Sequence, residues 1–292
     1  MKFTVFTPTY NRKNKLDNLY QYLKNENYED MEWLIIDDGS KDGTKEYIDS
    51  ILDQASFQIR YIYQENAGKH NAFNRAIEEA KGLYFVCIDS DDCYVEGAFK
   101  RLGDIADTLN ENEAGICYLS SDFEGSLIGT EFPENLKNAN LIDLYYKYGV
   151  TGDKGILHKT SVLKDFRFPS VEGEKFMTET VLYSQISMEY TYRLVNRIYE
   201  LKEYQPEGLS AKYKGLILKN PKSSLINYRL IDQFDLKGMM KMKNMIRYLS
   251  FIYYLEGDWE SELKQCRHKI LFVLLSPIGL MVCNKYKKES LK

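Results

Sequence analysis

Four short apolar runs, FTVFT, EWLIID, QIRYIY and LYFVCI, recur within about the first 90 residues. Between them the apolar residues repeat at helical spacing: Leu16, Leu19, Tyr20 and Leu23, then Tyr47, Ile48 and Ile51, then Ala72, Phe73, Ala76, Ile77 and Ala80. Strand-like runs that give way repeatedly to a helical period indicate strands alternating with helices. Strands joined through helices run parallel, and the crossovers cover the sheet. The expected fold class is therefore α/β, a mainly parallel sheet with helices on both faces. Asp42 or Thr44 is placed to cap the second helix, and Gly82 to end the third.

In such sheets ligands bind at the carboxyl ends of the strands. The loops that fall there are TPTYNR, DDGS, NAGKH and DSDD, all of them polar. The first is not the GxGxxG that a dinucleotide pyrophosphate requires, which argues against a nicotinamide dehydrogenase. If the fourth strand persists, Asp89 and Asp91 lie on one side of it about 6.5 Å apart. Aspartates so placed suit a hard divalent cation that keeps waters and phosphates in its other positions. The competing reading is a solvated acidic turn, with Asp92 capping the next helix. Asp37 and Asp38 can accept from a nucleobase imide or a ribose hydroxyl while Gly39 lets the backbone turn tightly, or they can simply form an Asx turn.

The 292 residues, 44% apolar and 28% charged, are ordinary globular material. Charge is unevenly placed: residues 211–292 hold 16 Lys/Arg against 7 Asp/Glu, net +9, whereas residues 1–210 hold 23 against 36, net −13. An acidic body argues against a nucleic-acid binder, and a basic tail suits an anionic partner or membrane face. Cys87, Cys93, Cys117, Cys266 and Cys283 form no CxxC pair and read as reduced core thiols of a cytoplasmic protein. His70, His158 and His268 lack ligand spacing, so zinc is not expected, and His70, next to Lys69, reads as a surface residue or else as one near a bound diphosphate. MKFTVFTPTYNR has neither the long apolar stretch nor the cleavage site of a signal peptide and reads as a first strand.

The order VFTPTYNR, LIIDDGSKDGT, NAGKHNAFNRAIEEAKGLYFVCIDSDD resembles the inverting family 2 glycosyltransferases, closely over residues 3 to about 95. A looser resemblance, through GDKGILHKTSVLKDFRFPSVEGEKFMTE and YQPEGLSAKY, is to a bacterial branch that builds surface or exopolysaccharide units on a lipid carrier. The resemblance implies an A-type nucleotide-diphosphosugar-binding fold, a UDP-sugar donor, a saccharide or lipid-linked acceptor, and Mn²⁺ or Mg²⁺. It implies that Pro8, Thr9, Tyr10 and Asn11 line the nucleotide, that Asp38 pairs with the base and that Lys69 lies near the nucleotide. Asp89 would contact the ribose or metal-bound water, and Asp91 the metal directly. For the base that deprotonates the acceptor, the family pattern points to Glu179, although Thr-Glu stands where Glu-Asp is usual; Asp153 is the second candidate. Lys154 and Lys175 read as solvated lysines or as phosphate contacts.

Two other classes remain. A haloacid-dehalogenase-like phosphatase also places DxD after an apolar strand, but near the first strand and with Thr or Val after it, where Cys93 stands here. A non-catalytic nucleotide-sugar-binding membrane scaffold is the other. The expected division is a catalytic domain over 1–210, with a nucleotide half at about 1–95 and an acceptor half at about 96–210, then a helical basic extension over 211–292, with a softer boundary near Gly208. In that extension the apolar run from Ile270 to Cys283 reaches about 21 Å as a helix, short of a roughly 30 Å hydrocarbon core. Flanked by Arg267, Lys269, Lys285, Lys287 and Lys288, it reads as an interfacial helix on the inner face of the membrane, or as a helix packed on the domain or on a sister subunit in an oligomer.

Overall fold

The computed structural model describes residues 1–203 and 209–290. Its elements are β1 (Phe3–Thr9), α1 (Lys13–Asn25), β2 (Met31–Asp37), α2 (Thr44–Ile51), β3 (Gln58–Tyr63), α3 (Lys69–Glu79), β4 (Tyr84–Cys87), β5 (Cys93–Tyr94), α4 (Ala98–Ala106), β6 (Glu113–Ser121), β7 (Asn138–Ala139) and α5 (Leu141–Tyr146). There follow β8 (Lys154–Lys159), α6 (Thr160–Leu163), α7 (Thr180–Ser187), β9 (Thr191–Leu201), α8 (Leu209–Lys219), α9 (Pro221–Asp232), α10 (Gly238–Tyr254), α11 (Trp259–Gln265) and α12 (Lys269–Ser290). The strands form one sheet in the order β3-β2-β1-β4-β8-β6-β9-β5, with β7 on β9.

β1 to β4 are parallel, as the alternation of strand and helix demands. Beyond β4 the sheet becomes mixed: β8 runs antiparallel to both β4 and β6, β9 is parallel to β6, and β5 is antiparallel to β9. Every residue of β2 is buried, which a parallel strand covered on both faces requires. Strand alternation sends Phe3 and Val5 into the cluster with Leu16, Leu19, Tyr20 and Trp33. Phe6 points the other way, its ring 5.4 Å from Phe73 of α3. Successive crossovers carry the chain from β1 outward to β3, and α3 then returns it to the far side of β1. This makes a topological switch point between β1 and β4, where the loops on either side part and leave a crevice.

Two compact units emerge. The first comprises Met1–Asn140, Val150–Arg167 and Glu189–Tyr204, and the second Leu141–Gly149, Phe168–Met188 and Gln205–Lys292. The second unit therefore draws in two segments that precede residue 210; the softer boundary near Gly208 lies outside the described residues. Its core is helical and aromatic, with Tyr228, Met245, Tyr248, Phe251 and Phe272 all buried.

Candidate active site

All four polar loops belong to the first unit, and each is tied to the next. Asn11, held at a positive φ of 52° after β1, accepts from the Lys41 amide at 2.8 Å, and its own N–H donates to Ser40 Oγ at 2.8 Å. This joins the first loop to the second. Asp38 accepts from the amides of Ala67 and Gly68 and from Gln64 Nε2, each at 2.8 Å, which joins the second to the third. Lys69 Nζ lies 2.8 Å from Asp89 Oδ1, which joins the third to the fourth. Arg12 Nη1 donates to Asp91 Oδ2 at 2.6 Å and closes the ring.

Gly39 is needed for this geometry. It sits at φ 93°, and a Cβ there would come within 3.0 Å of the Asn66 amide nitrogen. Pro8 and Thr9 end β1, the Thr9 side chain buried, and Tyr10 stands half exposed beside them. Asp38 uses three of roughly four carboxylate lone-pair positions inside the fold. It is first an organiser of the third loop, with one position left for a ligand. Asp37 accepts from the Ser40 amide at 2.8 Å and the Tyr61 hydroxyl at 2.6 Å, as the Asx-turn reading expects. Gly43 is the residue that immediately precedes α2, yet Asp42 serves the start of two helices: it accepts from the amide and hydroxyl of Thr44, the first residue of α2, at 3.2 and 2.6 Å, and from the amide of Lys13, the first residue of α1, at 3.0 Å.

The fourth strand does not persist to the aspartates. β4 ends at Cys87, and the Asp92 amide bonds back to the Asp89 carbonyl at 3.1 Å, which makes a turn. The expected shared strand face is therefore replaced by two acids splayed onto two different loops, Asp89 toward Lys69 and Asp91 toward Arg12. Asp92 does not cap the next helix either; Gly97 precedes α4. It is buried, 3.1 Å from Lys202 Nζ, and accepts from the Glu203 amide at 3.2 Å. Lys202 also pairs with buried Glu200 at 3.0 Å. Burial pushes Asp92 up to about 7 even with Lys202 opposing, because Glu200 and Asp89 add negative charge. Asp89 moves the other way: burial would raise it, but Lys69, Lys202 and Arg12 together hold it below the usual carboxylate range. Behind the turn, Ser90, Asp91, Asp92, Tyr22, Phe123 and Glu203 line a cavity of about 160 Å³.

Arg12 and Lys202 went unassigned in the sequence. Arg12 stands inside the TPTYNR loop, and its charge in a strand-end loop was the available signal. Lys202 had none that pointed to the turn, since Asp92 lies 110 residues away and, of the acids it pairs with, only Glu200 is near it in the sequence. Asp153 stands exposed ahead of β8 in the first unit. Glu179 immediately precedes α7 in the second unit, with the Tyr183 hydroxyl 3.4 Å from its Oε2. Lys154 is neither solvated nor free for phosphate: it is buried and donates to the Ile128 and Thr151 carbonyls, each at 2.8 Å. His70 is buried on α3 rather than at the surface, because its position falls on the inward side of that helix. Among the described residues no three His, Cys, Asp or Glu side chains gather as a metal cluster.

Comparison with known proteins places this geometry. The chain is 27% identical over 217 residues to the glycosyltransferase GlyA of Streptococcus pneumoniae serotype 4, covering 66% of this chain and 30% of that protein. It is 25% identical over 210 residues to the GalNAc(5)-diNAcBac-PP-undecaprenol beta-1,3-glucosyltransferase of Campylobacter jejuni, covering 68% of this chain and 65% of that protein. Among solved structures, S. aureus TarS 1-349 matches with a TM-score of 0.61 at 16% identity, over 99% of this chain and 88% of that one. That likeness is one of fold, the A-type architecture of a sheet with switch-point loops. The model for glycosyl transferase family 2 matches residues 4–163, from the first strand past the aspartate turn to α6, and the chain belongs to that family.

Proposed function

We propose that the protein transfers a sugar, with inversion, from a nucleoside-diphosphate donor, a UDP-sugar, to a hydroxyl of a lipid-linked saccharide. The observation that carries this reading is the closed ring of four loops at the switch point, in which the ion pairs Arg12–Asp91 and Lys69–Asp89 tie the aspartate turn to the first and third loops. The relative from C. jejuni is named for transfer to a PP-undecaprenol-linked saccharide, which supports a lipid-linked acceptor here. Family membership speaks against the phosphatase reading.

The donor set suits Mn²⁺ or Mg²⁺. Such cations take one or two carboxylates and fill the remaining positions with waters and substrate phosphates, so Asp91 as the direct ligand, with Asp89 on the ribose or a metal-bound water, needs no further protein ligand. A mannosyltransferase of Pyrobaculum calidifontis with a TM-score of 0.54 to this chain was solved with GDP-Man and Mn²⁺, which supports the same choice. When bound, the cation would supply Lewis-acid stabilisation of the departing diphosphate. The chain's own groups do the rest. Pro8, Thr9, Tyr10 and Asn11 line the nucleotide, Asp38 offers its remaining acceptor position to the base, and Arg12 and Lys69 present cations to the phosphates. The acceptor oxygen bonds to the anomeric carbon as the bond to the diphosphate breaks, and a carboxylate, Glu179 or else Asp153, takes the acceptor proton.

The test is release of nucleoside diphosphate from a panel of UDP- and GDP-sugars with Mn²⁺, with and without a prenyl-diphosphate-linked saccharide. Acceptor-dependent release that a chelator abolishes is the expected result. Nucleotide-sugar binding without release under any acceptor would favour the scaffold reading.

A further inference from the structure

The helix α12 is apolar on two opposite sides, and the fold uses one of them. Phe272, Leu275 and Cys283 are buried, with the Phe272 ring 5.9 Å from Tyr248 of α10. A Cβ on Gly279 would lie 2.5 Å from Leu249 Cβ, so α10 and α12 are in close contact there. The other side carries Ile270, Val273, Leu274, Ile278, Leu280 and Met281 outward. Ile270, Leu274 and Met281 are 79%, 69% and 71% exposed, about as open as a helical residue becomes. A surface helix of a water-soluble fold has one apolar stripe and a polar back; this one has no polar back over three turns.

We propose that the outward side of α12 docks on the surface of an anionic lipid bilayer. The charges choose this occupant. Arg267, Lys269, Lys285, Lys287 and Lys288 flank the apolar stripe; Glu289 pairs with Lys214, and Glu256 lies 3.7 Å from Lys287, so both ends of the stripe keep a net positive charge. A second copy meeting this face around a two-fold axis would set bases against bases, whether the helices ran parallel or antiparallel. Anionic headgroups satisfy both ends at once, and an interfacial helix sinks its apolar side about 5–10 Å into the headgroup boundary. The helix lies on the bilayer and does not cross it. Lys269–Glu289 is long and apolar enough to cross a bilayer by length and composition, but spanning would strip Phe272 and Leu275 from the helical core in which they are buried. The proposal rests on α12 alone and holds whether or not the transfer reading does. If both hold, an acceptor confined to the bilayer plane meets an enzyme confined to the same plane, which raises its effective concentration.

The experiment is cosedimentation of the full chain with vesicles of phosphatidylglycerol and phosphatidylcholine in equal parts, and with phosphatidylcholine alone. The wild type is expected to pellet with the mixed vesicles and far less with the neutral ones. Lys285→Gln and Lys288→Gln should each lower the partition coefficient about five-fold. Leu274→Glu with Met281→Glu, both on the outward side, should abolish pelleting while circular dichroism stays unchanged. Failure to pellet, or equal pelleting on neutral vesicles, would overturn the proposal. So would sedimentation velocity showing a dimer that the Glu variant splits, because the occupant would then be a second copy.

Discussion

An amide in place of the Asp91 carboxylate keeps the side chain's shape but removes the charge that meets Arg12. Asp91→Asn is therefore expected to abolish metal-dependent nucleotide binding and transfer with the fold intact by circular dichroism; wild-type turnover would take Asp91 out of the site. Arg12→Gln separates two effects. The guanidinium occupies one Asp91 oxygen, so its loss should tighten Mn²⁺ binding in the absence of nucleotide. It should also weaken nucleoside diphosphate binding about tenfold, as loss of a charge-assisted hydrogen bond does. Both titrations unmoved would mean that the ion pair only braces the loops. For proton transfer, Glu179→Gln should lower kcat on the order of 10²-fold with donor affinity unchanged. The same loss in Asp153→Asn instead would move the role there. The loops that hold Asp38, Lys69, Asp89 and Asp91 are legible in the sequence because they end the apolar runs, and strand ends are where such folds bind ligands. Their ion-pair partners were less so: Arg12 meets Asp91 across 79 residues, and no local pattern encodes a contact of that kind.

At the scale of elements, β8 carries a built-in acid sensitivity. His158 is buried, its Nδ1 2.8 Å from the Tyr192 hydroxyl of β9, and burial drives it from the ordinary 6.5 down to about 3. A depressed histidine favours the folded state fully above the unfolded value and loses that contribution as pH falls toward the folded one, because the unfolded chain takes up the proton first. Stability of the wild type should thus fall between about pH 6.5 and pH 3 from this group alone. His158→Gln, which can still bond to Tyr192, should be less stable at neutral pH and close the gap as the solution is acidified. Parallel melting temperatures for the two proteins across that range would show that the histidine is not kept neutral. Elements of this kind also mark the limit of sequence reading. The helical faces at Leu16, Leu19, Tyr20 and Leu23 are all buried as their spacing implies, since periodicity is a local property. The antiparallel insertion of β8 between β4 and β6 is a matter of long-range register, and the early end of β4 is set by a turn whose acids are satisfied from other loops.

Across the whole molecule, the two tryptophans divide between the two compact units, and this makes their separate stabilities measurable. Trp33 lies in the core of the first unit, donating to Thr7 Oγ1 at 3.0 Å and stacked on Tyr20. Trp259 begins α11 in the second, its ring 5.3 Å from Phe272. Because the four strand-end loops all belong to the first unit, a ligand of that crevice stabilises the state in which Trp33 is packed. The linkage amounts to about 2.7 kcal/mol at a ligand concentration 100 times Kd. In a Trp259→Phe variant, uridine diphosphate with Mn²⁺ should raise the midpoint of fluorescence-detected unfolding, and a chelator should return it. In a Trp33→Phe variant the midpoint reported by Trp259 should stay where it is, since the second unit gains nothing directly from the nucleotide. A Trp33 midpoint that does not move would remove the nucleotide from the first unit. Equal movement of both would mean that the units unfold as one cooperative body and share the binding energy.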